Sequence, residues 1–227
     1  MKKIQIIWIA LLSLLLVTGC TNKTTGLDDS GNSGESTDPA KQEDESAVGK
    51  PGQYNETALS DYFLPDTSKA HFQGDENKIA NLDIDYAQPY KNYVIVHESY
   101  NGTLTRYIYK IEENQIMQLN QRVVELKEDF PSLEEVEKME PNGIYLKKPF
   151  EVGMRFDEWE IIETKVKVDT PYQTFENAFI IETKSKDAQI RKYFVEGFGE
   201  VKREKVMNTT DGDEVQENLE LSSVTKP

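Results

Sequence analysis

Cysteine is nearly absent from this 227-residue chain: there is one, Cys20. A lone cysteine excludes an internal disulfide framework and a thiolate zinc site. Histidine is almost as scarce. His71 and His97 are the only two, and no helical or hairpin spacing joins them into a ligand pair. Neither a metal site nor a cofactor is expected. Positive charge is in deficit: 26 Lys and Arg stand against 41 Asp and Glu, for a formal charge of −15. Such a chain repels nucleic acid and anionic head groups, so nucleic acid is excluded as a partner. Motifs that carry chemistry are missing as well. Gly197-Phe198-Gly199 lacks the third glycine and the following helix of a dinucleotide fingerprint. No serine sits in a Gly-x-Ser-x-Gly elbow. Counting a calcium loop from Asp28 puts Ser33 where glycine is needed and Pro39 where glutamate is needed. The expectation is a protein that is not an enzyme. The alternative is a hydrolase using acidic residues, because a Glu-rich chain has carboxylates to pair.

Long apolar runs are also lacking, with one short exception at the start. Lys2 and Lys3 precede an apolar stretch over 4–17, broken only by Gln5 and Ser13. As a helix it would span roughly 21 Å, less than the ~30 Å hydrocarbon core of a bilayer. That length fits the apolar region of a signal peptide over residues 1–19. Val17-Thr18-Gly19-Cys20 then resembles the lipobox of bacterial lipoproteins, with Val17 in place of the commoner leucine. The resemblance implies cleavage before Cys20 and a thioether-linked diacylglyceryl group on it. Localisation at the cell membrane, on its extracytoplasmic face, follows as an expectation, with the membrane as partner through the lipid. Removing residues 1–19 deletes two lysines and no acid, which moves the formal charge from −15 to −17. Lipidation would also consume the only thiol.

Residues 20–56 are rich in Ser, Thr, Gly, Asp and Glu and hold almost no large apolar side chains. They cannot bury enough surface to offset chain entropy and read as a disordered acidic tether with a random-coil span of roughly 35 Å. Residues 208–227 are similar in composition and read as a disordered tail. The folded part is expected over 57–207, as a single β-rich domain of two meander halves, 57–130 and 141–207.

Within it the strand signals repeat. Residues 79–88 alternate, with Leu82, Ile84 and Tyr86 on one face and Asn81, Asp83 and Asp85 on the other. Asn101-Gly102 is the strongest short hairpin signal, because a type I′ turn needs positive φ at both positions. It pairs Tyr100 with Thr103 and, stepping back, Val96 with Tyr107, Val94 with Tyr109, Ile95 with Ile108 and His97 with Arg106. The Val94/Val96/Tyr107/Tyr109 side is the better core face. Ser132 with Glu135 forms a capping box before Leu133, Val136 and Met139, which predicts one short helix around 132–140. Gly197 and Gly199 interrupt the last long strand, over 188–206, where a bulge or a close backbone approach is expected. The fold class is mainly β: an antiparallel curved sheet, half-barrel or small open barrel of about 8–9 strands, with the helix closing one end. A closed sandwich is the alternative.

Three segments, KKPFEVGMRFDEW at 147–159, TPYQTF at 170–175 and YFVEGFGEVKR at 193–203, resemble a pattern in extracytoplasmic β-rich lipoproteins of Gram-positive bacteria. Gln173 stands where that pattern has glycine. The resemblance implies a β domain outside the cell and carries no catalytic residue with it. Aromatic residues are the remaining candidates for a site. Tyr93, Tyr107, Tyr109, Phe156, Trp159, Tyr193 and Phe198 fall on predicted strands and would line a ligand groove if the sheet is open. The functional expectation is a non-catalytic binding or accessory module of the cell envelope, with a cell-wall component or another envelope protein as partner.

Overall fold

The computed structural model describes residues 58–74, 81–126, 128–208 and 213–227. The signal segment 1–19, Cys20 and the tether 20–56 lie outside the described residues. The chain enters through a 3-10 turn, Leu59–Tyr62, whose Leu59 and Tyr62, with the following Phe63 and Leu64, are buried. Strands β1 (Lys69–Gly74) and β2 (Asn81–Tyr90) follow. In β2 the polar/apolar alternation becomes geometry: Leu82, Ile84 and Tyr86 are buried and Asn81, Asp83 and Asp85 exposed. Strands β3 (Tyr93–Tyr100) and β4 (Thr103–Ile111) turn at Asn101-Gly102, with φ of 49° and 76°. The turn sets the expected register, with Tyr100 opposite Thr103, Val96 opposite Tyr107 and His97 opposite Arg106.

After β5 (Gln115–Val123) comes helix α1 (Leu133–Glu137). Its capping box is complete: the Glu135 N–H donates to the Ser132 hydroxyl, and the Ser132 N–H donates to the Glu135 carboxylate at 2.8 Å. Ser132→Ala should cost about 1 kcal/mol in chemical denaturation, the usual effect of losing an N-cap side chain. The helix does not close an end of the sheet, as the sequence reading had it. Val136 packs on Ile95, Ile108 and Leu119, so α1 covers an outer patch of β3–β5. The register explains this, since Ile95 and Ile108 face away from the Val94/Val96/Tyr109 side and need their own cover.

Strands β6 (Gly143–Lys147), β7 (Arg155–Phe156), β8 (Trp159–Asp169), β9 (Thr174–Lys184), β10 (Ala188–Val195), β11 (Gly199–Asn208) and β12 (Glu214–Thr225) complete one sheet. The described residues thus form twelve strands, not eight or nine. Three local causes account for the difference. Asp157-Glu158 turns the chain between Phe156 and Trp159, splitting one expected strand into β7 and β8. Glu196–Phe198 turns it again, so the long strand over 188–206 is a hairpin, with φ of +80° at Gly197. The third cause is the stretch over 208–227, whose composition predicts a disordered tail. Its 214–225 stretch is β12, with Leu219 and Leu221 buried between β1 and β11. The folded region therefore runs past residue 207.

Every pairing is antiparallel, in the order β6-β5-β4-β3-β2-β1-β12-β11-β10-β9-β8-β7. The two ends of this sheet approach each other. The Ile144 N–H on β6 donates to the Asp157 carboxylate at 2.6 Å, across the seam to the β7–β8 turn. The result is a nearly closed barrel whose inner face carries the main core. One end is plugged by the entering segment 58–64. Tyr62 meets Phe150 and Phe179, with ring centroids 4.9 and 5.5 Å apart, and Phe63 meets Tyr109 and Tyr145 at 5.3 and 5.7 Å. Gly199 makes the plug fit, for a Cβ there would stand 2.4 Å from the Tyr62 carbonyl oxygen, and its φ of +77° already disfavours other residues. The close approach expected at these glycines is present. The C-terminus lies at the same end, with Thr225 beside Lys69 and the Lys226 ammonium over the Phe198 ring.

Candidate binding cavity in the barrel lumen

The end away from the plug is open. A cavity of about 1200 Å³ runs in from the Asn101 turn, the start of β6 and the Asp157-Glu158 turn. Its wall on β4 and β5 carries the uncharged polar side chains Thr103, Thr105, Gln118 and Gln121 beside Met117, and Trp159, Tyr145, Tyr107 and the charged Asp157, Glu158, Lys205 and Glu217 also line it. Toward the plug the floor is an aromatic layer. It runs from Tyr109 to Tyr145 (4.6 Å), Phe194 (5.6 Å) and Phe179 (5.5 Å), and then to Phe150 (4.5 Å).

Four charged side chains meet inside the lumen. Arg203 on β11 donates from Nε (2.5 Å) and Nη2 (3.0 Å) to the Glu200 carboxylate, and from Nη2 to Glu98 on β3 at 3.2 Å. The Lys192 ammonium on β10 lies 3.3 Å from Glu200 and over the rings of Tyr145 and Trp159, at 5.7 and 5.6 Å. All four side chains are largely shielded, from 5% exposed for Glu200 to 21% for Arg203. Two anions and two cations balance, as burial of charge requires.

A bulge makes the cluster possible. Residues three apart on a regular strand point to opposite faces, and by that rule Glu200 and Arg203 would separate. Tyr193 pairs with Lys202 and Phe194 with Glu200, so Val201 is an extra residue in β11. The extra residue turns Glu200 and Arg203 to the same inner face.

The surroundings set the protonation states. Burial pushes the Glu200 carboxyl up, but Arg203 and Lys192 outweigh it and hold the group below its usual range. Burial pushes the Arg203 guanidinium down, and Glu200 and Glu98 more than restore it. Lys192 is the weak member, because burial lowers it and its carboxylate neighbours do not make up the difference. Burial and then Glu98 push the Tyr107 hydroxyl up to about 12, and burial raises Tyr109 and Tyr145 well above the ordinary value. These hydroxyls remain protonated donors.

Of the seven aromatic residues read from the sequence as a possible groove, Tyr107, Tyr109 and Trp159 line this cavity. The other four do not. Tyr93 lies on the outer face among the residues packed with α1. Phe156 is buried in the core. The Tyr193 hydroxyl donates to Glu204, with the Lys202 ammonium over its ring, away from the lumen. Phe198 sits at the plugged end, its ring near Tyr172 and Phe175. Strand parity explains Tyr193: on β10, Ile190 and Lys192 line the cavity, so Arg191 and Tyr193, at the alternate positions, face out. The charged cluster was not anticipated, because the Val201 bulge leaves no periodic signal. His71 and His97 are likewise apart. His71 pairs with Asp83 at 2.6 Å, and His97 packs against Phe130. Among the described residues no group of three His, Cys, Asp or Glu side chains is placed to hold a metal ion.

No family model matches this chain, and no curated protein matches it. Among solved structures it is similar to a protein assigned as exported, with a YMCC-like fold, from Bacteroides fragilis. That match has 12% identity and a TM-score of 0.47, and covers 72% of this chain and 98% of the other. It is also similar to a protein assigned as a lipoprotein from Parabacteroides distasonis, at 15% identity and a TM-score of 0.45, over 74% of this chain and 99% of the other.

Proposed function

We propose that this chain is a membrane-anchored, extracytoplasmic lipoprotein that holds a ligand in the open end of its barrel without transforming it. The observation that carries this reading is the cavity itself. It has a plugged end, an open end, and a wall that mixes aromatic faces with charged and uncharged hydrogen-bonding groups, as ligand sites do. Both ends of the folded region lie at the plug, which leaves the mouth unobstructed by them. The lipobox-like Val17-Thr18-Gly19-Cys20 supplies the anchor. The non-catalytic part rests on the carboxylates. A general acid needs a raised pKa, whereas Glu200 is held low and is bound to two cations, and Glu98 is bound to Arg203.

Two measurements test the proposal. Cys20→Ala should release the chain from the membrane or leave it unprocessed. A processed Cys20→Ala chain that stays with the membrane would overturn the anchor. Thr105→Trp should put an indole into the cavity and obstruct the ligand's seat. Native mass spectrometry of the chain purified from its own membranes should then show a bound mass on the parent and none on the variant. Equal masses on both would overturn the cavity as the binding site.

A further inference from the structure

Resting on that reading of the cavity, we infer that its ligand is a sugar acid, whose carboxylate docks on Lys192 and whose hydroxyls meet the Thr/Gln wall. An ammonium has three donors. Among the described residues, Lys192 meets one carboxylate, that of Glu200, and otherwise faces the two rings of Tyr145 and Trp159. Arg203, by contrast, is engaged by both Glu98 and Glu200. Lys192 is thus the lumenal cation with a single carboxylate partner and donors left over, and it borders the cavity.

A second cation lies on the way in. Lys205 also lines the cavity, two residues beyond Arg203 on β11. Lys192 stands opposite Arg203, and Ile190 opposite Lys205, so the two lysines are diagonal cross-strand neighbours, roughly 7 Å apart at Cα. The carboxylate nearest Lys205 in register, Glu217, accepts the Tyr100 hydroxyl instead. An anion that passes the Asp157-Glu158 turn at the mouth has Lys205 and then Lys192 to meet it.

The cavity also carries the carboxylates Glu98, Asp157, Glu158 and Glu217, but its aromatic faces are closed to a cationic ligand. The aromatic pair that would receive one, Tyr145 and Trp159, is already capped by the Lys192 ammonium. The rest of the wall favours hydroxyls. Thr103, Thr105, Gln118 and Gln121 both donate and accept, which matches a polyol and not an alkyl chain. The volume exceeds the ~300–1,000 Å³ common for small-ligand sites, so it has room for more than one ring.

Trp159 is the sole tryptophan after residue 19 and lies in the site, so its fluorescence reports occupancy. The experiment titrates the mature lipidated chain, in detergent, with a galacturonic acid trimer, its methyl ester and a neutral glucose trimer. The acid should give a saturable change that weakens with salt. Lys192→Met should weaken it about tenfold, the scale of one charge-assisted hydrogen bond. Lys192→Arg should retain most of it. Lys205→Gln, which leaves the buried cluster intact, should weaken it severalfold and keeps the test decisive if Lys192→Met fails to fold. Equal binding of acid and ester, or no saturable change with the acid, would overturn the assignment. If the Thr105→Trp comparison still shows a ligand mass lost, only the ligand class has failed. If it does not, the cavity reading has failed as well.

Discussion

A chain ending at Asn208 should not fold. Strand β12 is central: it pairs with β1 from Lys69–Thr225 to Gly74–Leu219 and with β11 from Lys202–Glu220 to Asn208–Glu214. Removing it splits one twelve-stranded sheet into two open fragments and uncovers two unpaired edges. It also removes Leu219 and Leu221 from the core, each worth about 1.5–3 kcal/mol of burial. Those two side chains alone approach the low end of a domain's ~5–15 kcal/mol, before any backbone hydrogen bond is counted. The measurement is thermal unfolding by circular dichroism beside limited proteolysis. The truncated chain should show no cooperative transition and rapid digestion below Asn208. A synthetic peptide covering 213–227, added in trans, should restore protection. A cooperative melt for the truncated chain near that of the full one would show that β12 is dispensable.

Arg203→Met should be the most damaging single substitution in the lumen. Among the described residues, Arg203 is the cation that touches both acids, Glu98 and Glu200, so its loss leaves Glu98 without that ion pair and Glu200 with Lys192. Breaking one side of a buried ion pair costs about 3–5 kcal/mol, read here as a lower denaturant midpoint at unchanged slope. Adding Glu98→Gln and Glu200→Gln should recover much of that loss, because the uncompensated charge goes with them. A triple variant as unstable as the single one would show that the cost lies in packing and not in charge. The pH dependence has a definite sign. The Glu200 carboxyl is depressed in the folded state below its ordinary 4.5. Its contribution is therefore fully present above about 4.5 and is lost as pH falls through the lower folded value. The loss of stability on acidification through that window should be smaller in Arg203→Met, which removes the leading cause of the depression.

Much of the sheet was legible where local chemistry settles the matter. Asn101-Gly102 specified a turn, and the turn specified a register, because side-chain direction in a strand repeats every two residues. Ser132 and Glu135 announced a helix start through mutual hydrogen bonds that need no tertiary partner. Where the reading failed, the deciding contact was distant in sequence. Residues 214–225 are mostly polar because they carry only two buried leucines, and nothing local says that β1 and β11 wait on either side. The turns at Asp157-Glu158 and Glu196–Phe198 lie within stretches whose apolar and aromatic content reads as continuous strand.

By itself, the amino-acid sequence determined the hairpin register, the capped helix and the β character. Each rests on neighbours within a few residues. Only the tertiary structure decided that the sheet nearly closes, that the entering chain plugs one end, and that Lys192, Glu200, Arg203 and Glu98 meet inside. Glu98 and Arg203 are 105 positions apart and are joined by barrel curvature, while Glu200 and Arg203 share a face through one extra residue, Val201. Curvature and bulges belong to the sheet as a whole, and for that reason the cavity was not visible in the pattern of any single strand.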